Sequence, residues 1–153
     1  MREAFGGTWI LGFVVLFIVL FSGYLAVSVN YTKAFKVKNR IISIIEENEG
    51  YTSSNYSNMD TESISTLQNS NSTEDKIYAF LRDIGYATTE VSSSRCTNND
   101  SEYKTGGYCL ATIETSQGTY YRVTSFIKLE IPIVWFNITI PITGETRVLY
   151  NTK

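Results

Sequence analysis

The sequence contains no histidine, and this absence narrows the chemistry that its 153 residues can carry. Histidine is the commonest general base, a frequent metal ligand and the side chain that titrates near neutral pH. Cysteine and proline are almost as scarce, with two of each. The formal net charge of −2 supplies no concentrated basic face of the kind that binds nucleic acid. These absences predict a non-enzymatic protein with no cofactor, no metal site and no nucleic-acid partner.

What the sequence does have is one long apolar run without a charge, residues 9–29. A helix rises ~1.5 Å per residue and the hydrocarbon core is ~30 Å thick, so about 20 residues cross it. The run therefore predicts a membrane-spanning helix, with the lipid bilayer as a partner. The alternative is a cleaved signal peptide, in which Ala26 and Ser28 are the small residues before the cut.

The helical pattern continues beyond the apolar run. Neither proline nor glycine interrupts the chain between Tyr24 and Gly50, and Gly50 is a suitable helix stop. Apolar residues recur at i, i+4, i+7 and i+8, namely at Val37, Ile41, Ile44 and Ile45. We therefore predict one helix over residues 8–49, about 60 Å long, half in lipid and half projecting as an amphipathic stem. This continuity favours an anchor over a signal peptide.

Several residues of this helix are candidates for contacts between subunits. Gly12 and Gly23 would let the apolar half approach similar helices closely. The stripe of Val37, Ile41, Ile44 and Ile45 would pack either on the sheet of its own domain or on the stem of a neighbour. Glu3 could pair with the N-terminus of a neighbouring subunit, or it could simply be a polar residue at the membrane edge.

The orientation of the helix is contested within the sequence. Lys33, Lys36, Lys38 and Arg40 follow the apolar run, whereas Arg2 is the one basic side chain before it. The positive-inside rule alone would place the following domain in the cytoplasm. Paired cysteines and a polar middle region fit an oxidising compartment instead. We expect a single-pass protein of the cell membrane whose C-terminal domain lies outside.

The chain divides into three regions: residues 1–50 are the anchor and stem, 51–72 a polar connector, and 73–153 a small extracellular domain. The connector has few aliphatic residues and no periodicity, which predicts an exposed loop. A short helix should follow, with Ser72 and Asp75 at its start and Gly85 at its end. Its buried stripe should consist of Ile77, Phe80, Leu81 and Ile84.

The remainder of the domain is strand-like. Residues 121–133 and 136–147 alternate between apolar and polar side chains, and residues 108–114 form a third such run. Alternation with period two predicts an antiparallel sheet with one buried face. Pro132 and Pro141 should lie at edges, bends or bulges. The predicted fold class is α+β: a long N-terminal helix, a short second helix and a small antiparallel sheet.

Cys96 and Cys109 are separated by 12 polar-rich residues. A disulfide between them would close a surface loop and stabilise a small domain by ~3 kcal/mol. A metal site would need further ligands, and a redox pair is more often spaced as CxxC. The spacing therefore predicts a structural disulfide.

Two other groups of side chains could carry function. The carboxylates could in principle support glycoside hydrolysis, but none has an apolar sequence context, so they are interpreted as solvated surface. They are Asp60, Glu62, Glu74, Asp75, Asp83, Glu90, Asp100 and Glu102. A set of tyrosines could present an aromatic binding face, although packing across strands is the preferred interpretation. These are Tyr56, Tyr103, Tyr108, Tyr120 and Tyr121.

An apolar helix that runs into an amphipathic stem and then a small sheet resembles the lollipop plan of type IV pilins and pseudopilins. Within that group the chain looks most like the TadE-like minor pilins of tight-adherence (Flp-type) pilus systems. Residues 5–46 and the closing residues 120–150 carry this resemblance. Pilin precursors have a basic leader and a glutamate at the fifth mature position. Here Glu3 lies too near Met1 for such a leader, so no cleavage site is assigned.

The resemblance implies a minor structural subunit that helps assemble or anchor a pilus or secretion filament. Its partners would be other pilin-like subunits, contacted through the N-terminal helix, and the pilus assembly platform. The alternative function is a membrane-tethered binding or adhesion module that uses the loop between Cys96 and Cys109 and its tyrosines. An enzyme is the third and least favoured hypothesis.

Overall fold

The computed structural model of the chain describes residues 2–86, 96, 101–130 and 137–150. Its dominant element is helix α1, Arg2–Glu47, which is continuous over 46 residues. The single unbroken helix confirms the prediction, but it begins six residues earlier and ends two residues earlier than the predicted range of 8–49. At ~1.5 Å per residue it is about 69 Å long. The helix ends where Glu49 and Gly50 adopt φ angles of 54° and 150°, and the Gly50 N–H donates to the Ile45 carbonyl at 3.0 Å. Left-handed backbone at this position terminates the helix.

Residues 51–72 are not the plain exposed connector that the sequence predicts. They contain a 3-10 turn, Met59–Thr61, and a short helix α2, Ile64–Gln68. The Ser63 side chain caps α2 by accepting from the Thr66 N–H at 3.2 Å. Met59 and Leu67 are buried in a small apolar cluster. Most of the segment is exposed, as expected, but the sequence does not reveal the turn and the helix. The reason is that two isolated apolar residues, eight positions apart, create no periodicity that a sequence window could detect.

Helix α3, Thr73–Asp83, confirms the predicted short helix. The Ser72 hydroxyl caps it by accepting from the Asp75 N–H at 3.4 Å, and Gly85 follows with φ 63°. Ile77 and Leu81 are fully buried. The predicted stripe is wrong at its last member, because Ile84 is the C-cap residue and remains 40% exposed.

Four antiparallel strands form one sheet in the order β1-β2-β3-β4. They are β1, Ser101–Lys104; β2, Tyr108–Thr115; β3, Gly118–Glu130; and β4, Asn137–Glu145. The last three confirm the predicted runs, whereas β1 is too short and polar for the sequence to reveal. Pro132 and Phe136, which the sequence assigns to strands, lie outside the described residues.

Pro141 lies in the edge strand β4, as predicted, and it is paired with Phe126 of β3. The Phe126 N–H and C=O do not face Pro141, because both bond to the Tyr86 hydroxyl at 2.8 Å. Phe126 and Pro141 are therefore a non-hydrogen-bonded pair, and the Pro141 nitrogen faces the open edge of the sheet. A missing N–H costs nothing to the ladder at that position.

The core lies between α1, α3 and one face of the sheet. The second half of α1 crosses the sheet and packs mainly on β3, where the Ser125 hydroxyl donates to the Ala34 carbonyl at 3.2 Å. The buried apolar residues of this layer are Val37, Ile41, Ile44, Ile45, Ile77, Leu81, Tyr108, Leu110 and Val123. The architecture is thus the predicted α+β fold. The N-terminal half of its long helix projects from the domain, and the C-terminal half packs in the core.

Candidate functional site

The projecting half of α1 is the largest exposed apolar surface of the chain's described part. Residues 7–22 are all exposed, and Trp9, Leu16 and Leu20 keep 69%, 57% and 64% of their surface accessible. Soluble domains rarely expose a contiguous apolar surface as extensive as this one without a partner. By length and composition, α1 is the one helix among the described residues that could cross a membrane.

A shallow apolar notch lies on this projecting half, centred on Gly12. It has a volume of about 340 Å³ and is lined by Thr8, Trp9, Phe13 and Leu16 as well as Gly12. A Cβ at Gly12 would meet no atom within 4 Å, and the same holds at Gly23. Contacts within the chain therefore do not account for either glycine, and their role in helix packing stays a prediction. The backbone of Glu3 lies in α1, and its side chain is outside the described part.

The stem stripe, formed by Val37, Ile41, Ile44 and Ile45, packs entirely against other parts of the same chain. Val37, Ile41 and Ile45 are 0% exposed and Ile44 is 5% exposed, all in the core against α3 and the sheet. Of the two partners that the sequence left open, the structure selects the chain's own domain. The stem is therefore closed to a neighbouring subunit over these four residues.

The basic residues after the apolar run surround the base of the domain. Lys33 and Lys36 border a groove of about 430 Å³, where α1 meets the C-terminal end of α3. The Lys38 ammonium lies 4.4 Å from the centre of the Phe35 ring, and Arg40 pairs with Glu47 at 3.2 Å. Lys38 and Arg40 thus contact other side chains of the same helix. Lys33 and Lys36 are placed where they could meet anionic groups at a membrane surface.

Cys96 and Cys109 form the predicted disulfide, with a Cα–Cα distance of 5.7 Å. The bridge packs over Phe126 and Tyr103 on the face of the sheet opposite α1. It therefore covers an apolar side chain as well as closing a loop, which the spacing alone did not indicate. Residues 97–100 of that loop lie outside the described part.

The tyrosines do not form a single aromatic binding face. Tyr108 is fully buried in the core, and the Tyr121 ring packs against Tyr51 with the centroids 6.4 Å apart. Tyr120 and Tyr121 pair across the sheet with residues of β2, which agrees with the preferred interpretation from the sequence. Tyr56, at 36% exposed, lies at the surface.

Two carboxylates that the sequence assigned to the solvated surface are buried instead. Asp75 is 0% exposed and Glu74 is 8% exposed, both in the first turn of α3. Asp75 accepts hydrogen bonds from the hydroxyls of Ser54 and Ser70, the latter at 2.6 Å. Glu74 accepts from the Ser54 N–H at 2.9 Å. These bonds tie residues 51–72 to α3, so the two carboxylates have a structural role.

The other described carboxylates named above agree with the sequence interpretation or pair with nearby groups. Asp60, Asp83 and Glu102 are exposed, and Glu62 is half-buried. The Glu102 carboxylate lies 2.8 Å from the Lys104 ammonium. Glu90 and Asp100 lie outside the described residues. Within the described ranges, no three or more His, Cys, Asp or Glu side chains converge to hold a metal ion.

Four tyrosines of the domain have hydroxyl groups whose ionisation is opposed by burial. Burial raises the pKa of Tyr78 to about 12, and its hydrogen bond to Asp60 adds to the shift. Burial also raises the pKa of Tyr51, Tyr86 and Tyr108. For Tyr51, the neighbouring Tyr108 and the Glu74 carboxylate act in the same direction. The hydroxyls of Tyr51 and Tyr108 are buried with no hydrogen-bond partner among the described residues.

These shifts predict the response of the domain to alkaline pH. A tyrosine whose pKa is raised by folding contributes stability that is complete below its unfolded pKa of about 10 and is lost as pH rises above it. Starting from pH 7, we expect the unfolding free energy to stay level up to about pH 10 and to fall steeply between about pH 10 and 12. Tyrosinate absorbance should show Tyr51, Tyr78, Tyr86 and Tyr108 ionising only as the fold is lost. Ionisation of all 11 tyrosines in one step near pH 10, with the fold intact, would contradict this prediction.

No protein-family model, curated protein or solved structure matches this chain. The fold and the candidate site nevertheless define a class of protein. It is a small α+β domain whose core helix continues, without a break, into an exposed apolar segment long enough to act as a single-pass membrane anchor.

Proposed function

We propose that this chain is a non-enzymatic, pilin-like subunit, anchored in the cell membrane by α1, that helps assemble or anchor a type IV (Tad-type) pilus or secretion filament. The observation that carries this proposal is that the two halves of α1 have different environments. The same helix is exposed and apolar over residues 7–22, and between Ala34 and Ile45 it buries one face against the domain. Because one unbroken helix joins them, the domain and the projecting half of α1 move as a unit.

The partners in this proposal are the lipid bilayer, other pilin-like subunits and the pilus assembly platform. Because the stem stripe is used within the domain, subunits would meet through the projecting half of α1. The notch at Gly12 provides the shape for such a contact, since a small residue lets two helix backbones approach closely.

The domain is proposed to lie outside the cell, and the Cys96–Cys109 disulfide supports this orientation because disulfides persist in oxidising compartments. The test is labelling of intact cells with a membrane-impermeant maleimide, with and without reductant. We expect labelling only after reduction, and none in a control variant with Cys96→Ser and Cys109→Ser. Labelling only after lysis, without reductant, would place the domain in the cytoplasm and overturn the proposal.

Assembly itself is tested with Gly12→Leu and a matched control, Gly7→Leu. At either position a Cβ would have no atom within 4 Å, so the chain itself leaves room for a side chain to begin there. The two positions are about 140° apart around the helix, so they address different faces. The measurement is the amount of this chain recovered in filaments that are sheared from the cell surface. We expect Gly12→Leu to lower this amount about tenfold, because helix packing is lost, and Gly7→Leu to leave it unchanged. Equal amounts for the native chain and Gly12→Leu would count against helix-mediated assembly.

A further inference from the structure

A groove of about 430 Å³ separates the early stem of α1 from the C-terminal end of α3. The Thr73 hydroxyl, at the start of α3, donates at 3.0 Å to the Gly50 carbonyl, which lies just beyond the end of α1. At the other end of α3, Ile84 and Lys33 border the same groove. Helix α3 is therefore antiparallel to α1, and the groove lies at the end of this helix pair that faces the apolar half of α1. Its volume is within the range of small-ligand sites.

The groove combines an apolar wall with two cations. Phe80 and Ile84 of α3 form part of the wall, and Ile84 keeps 40% of its surface accessible. Lys33 and Lys36 border the groove from α1, and both are exposed. Among the residues that the structure describes, no carboxylate lines the groove and neither lysine forms an ion pair, whereas Asp83 of α3 lines a separate groove. The site therefore suits a ligand that carries an anionic group beside an apolar part.

Both lysines are positioned close to the lipid head groups when α1 spans the membrane. Lys33 is the first charged residue after the apolar run, four residues beyond Val29, and Lys36 lies about one turn further. Four helix residues span ~6 Å, which is about the thickness of the headgroup layer on one side of a bilayer. Side chains on a helix lean toward its N-terminus, so each ammonium group can reach back toward the lipid. The anions nearest to the groove are then lipid phosphates.

We propose that this groove binds one anionic phospholipid from the membrane leaflet on the domain side. The charged head group lies between Lys33 and Lys36, and the glycerol backbone and first methylene groups lie against Ile84. This inference rests on the proposed membrane anchor, because the groove meets lipid only if α1 spans the bilayer. A soluble anion would use the lysines and leave the apolar wall exposed, so a lipid matches both features better. The lysines thereby acquire a role on the outer side, where the positive-inside rule does not expect them.

The test is native mass spectrometry of the full-length chain, with its disulfide intact, in a non-ionic detergent. Phosphatidylglycerol, phosphatidylcholine with the same acyl chains, and inorganic phosphate are offered at equal concentrations. The measured quantity is the ratio of the apparent dissociation constants of the two lipids for the first bound molecule. The native chain is compared with a double variant, Lys33→Gln with Lys36→Gln, and with the single variant Ile84→Glu.

The matched control is a second double variant, Lys38→Gln with Arg40→Gln. It removes the same charge from the same helix, but at residues that do not border the groove. Far-UV circular dichroism and a cooperative urea transition confirm that each variant is folded. A lysine near an anionic lipid surface contributes about fivefold to binding, so two lysines should give at least about a tenfold preference for phosphatidylglycerol. We expect this preference in the native chain and in the control.

The Lys33 and Lys36 double variant should bind the two lipids with a ratio within about twofold of one. Ile84→Glu should also lose the preference, because it places a carboxylate in the groove. Equal losses in the two double variants would show that net charge, and not the groove, selects the lipid. A native preference in Ile84→Glu would show that the lipid lies elsewhere. Either result would overturn the inference.

The anchor is tested separately by flotation of the reconstituted chain with phosphatidylcholine vesicles in high salt, where charge contributes little. A chain that floats but binds the two lipids equally would overturn the inference and leave the anchor intact. An adduct with inorganic phosphate, without selection between the lipids, would assign the lysines to a soluble anion and overturn the inference too. A chain that does not float would overturn the anchor, and the inference with it. The failures are therefore distinguishable.

Discussion

Replacing Ile41 and Ile45 together by aspartate should leave α1 in the membrane and abolish the folded domain. Both side chains are 0% exposed in the layer between α1, α3 and the sheet. An unpaired carboxylate in such a site costs several kcal/mol even after relaxation and water penetration. Two of them approach the whole stability of a small domain, which is about 5–15 kcal/mol. The apolar residues 7–22 are untouched, so insertion should be normal.

The matched control is Asn39→Asp, which adds the same carboxylate to an exposed position of the same helix, two residues before Ile41. We expect near-UV circular dichroism and a cooperative urea transition to be lost in the double variant and kept in Asn39→Asp. Membrane fractionation should recover both chains equally. A cooperative transition of native midpoint in the double variant would show that these two residues do not hold the domain together.

The elements that the sequence predicts well are those whose periodicity is carried by many residues. Helix α1 shows its apolar run and then the stripe of Val37 and Ile41, and β3 shows its alternation around Val123. Each pattern reflects one face of one element meeting a single environment, and that relation is local in sequence. The predicted α+β class follows from these patterns alone.

The features that the sequence does not predict depend on contacts between distant segments. Asp75 appears solvated in its polar sequence context, but residues 54 and 70 fold over it and bury it. Phe126 lies on the nominally wet face of β3, yet the disulfide covers it. The Tyr86 hydroxyl completes the hydrogen bonding of Phe126 from 40 residues away. Ser70 is only five residues from Asp75, but Ser54 is 21 residues from Asp75 and Tyr86 is 40 residues from Phe126, which is farther than a periodicity window reaches.

The use of α1 within its own domain limits how the chain can assemble. A neighbour cannot contact Val37, Ile41 or Ile45, since the native domain encloses them. Contacts between subunits must then use the projecting half of α1 or the outer surface of the domain. This division separates two kinds of variant: stem substitutions should act on folding, and substitutions around Gly12 on assembly. In the proposed assembly, a defect with a folded domain would therefore point to the projecting half or the outer surface of the domain, and not to Val37, Ile41 or Ile45.

Replacing Asp75 by alanine should destabilise the domain by roughly 3 kcal/mol, since hydrogen bonds to a charged group contribute ~1.5–3 kcal/mol each. The carboxylate is 0% exposed and accepts from the hydroxyls of Ser54 and Ser70. Alanine removes both bonds and leaves the two hydroxyls without their acceptor. It also removes a negative charge from the first turn of α3, where such a charge is favourable.

Asp83→Ala is the matched control, because Asp83 is exposed in the last turn of the same helix, where a negative charge is unfavourable. We expect this control to stay within ~0.5 kcal/mol of the native chain in urea unfolding. Asp75→Asn should fall between the two, since an amide oxygen can still accept from one hydroxyl while its NH₂ cannot accept from the other. Equal urea midpoints for Asp75→Ala and Asp83→Ala would mean that residues 51–72 are held to α3 by Met59 and Leu67 rather than by the buried carboxylate. The order native, Asp75→Asn, Asp75→Ala would instead identify Asp75 as the residue that fixes this segment, a role that follows from its acceptor geometry and not from its position in the sequence.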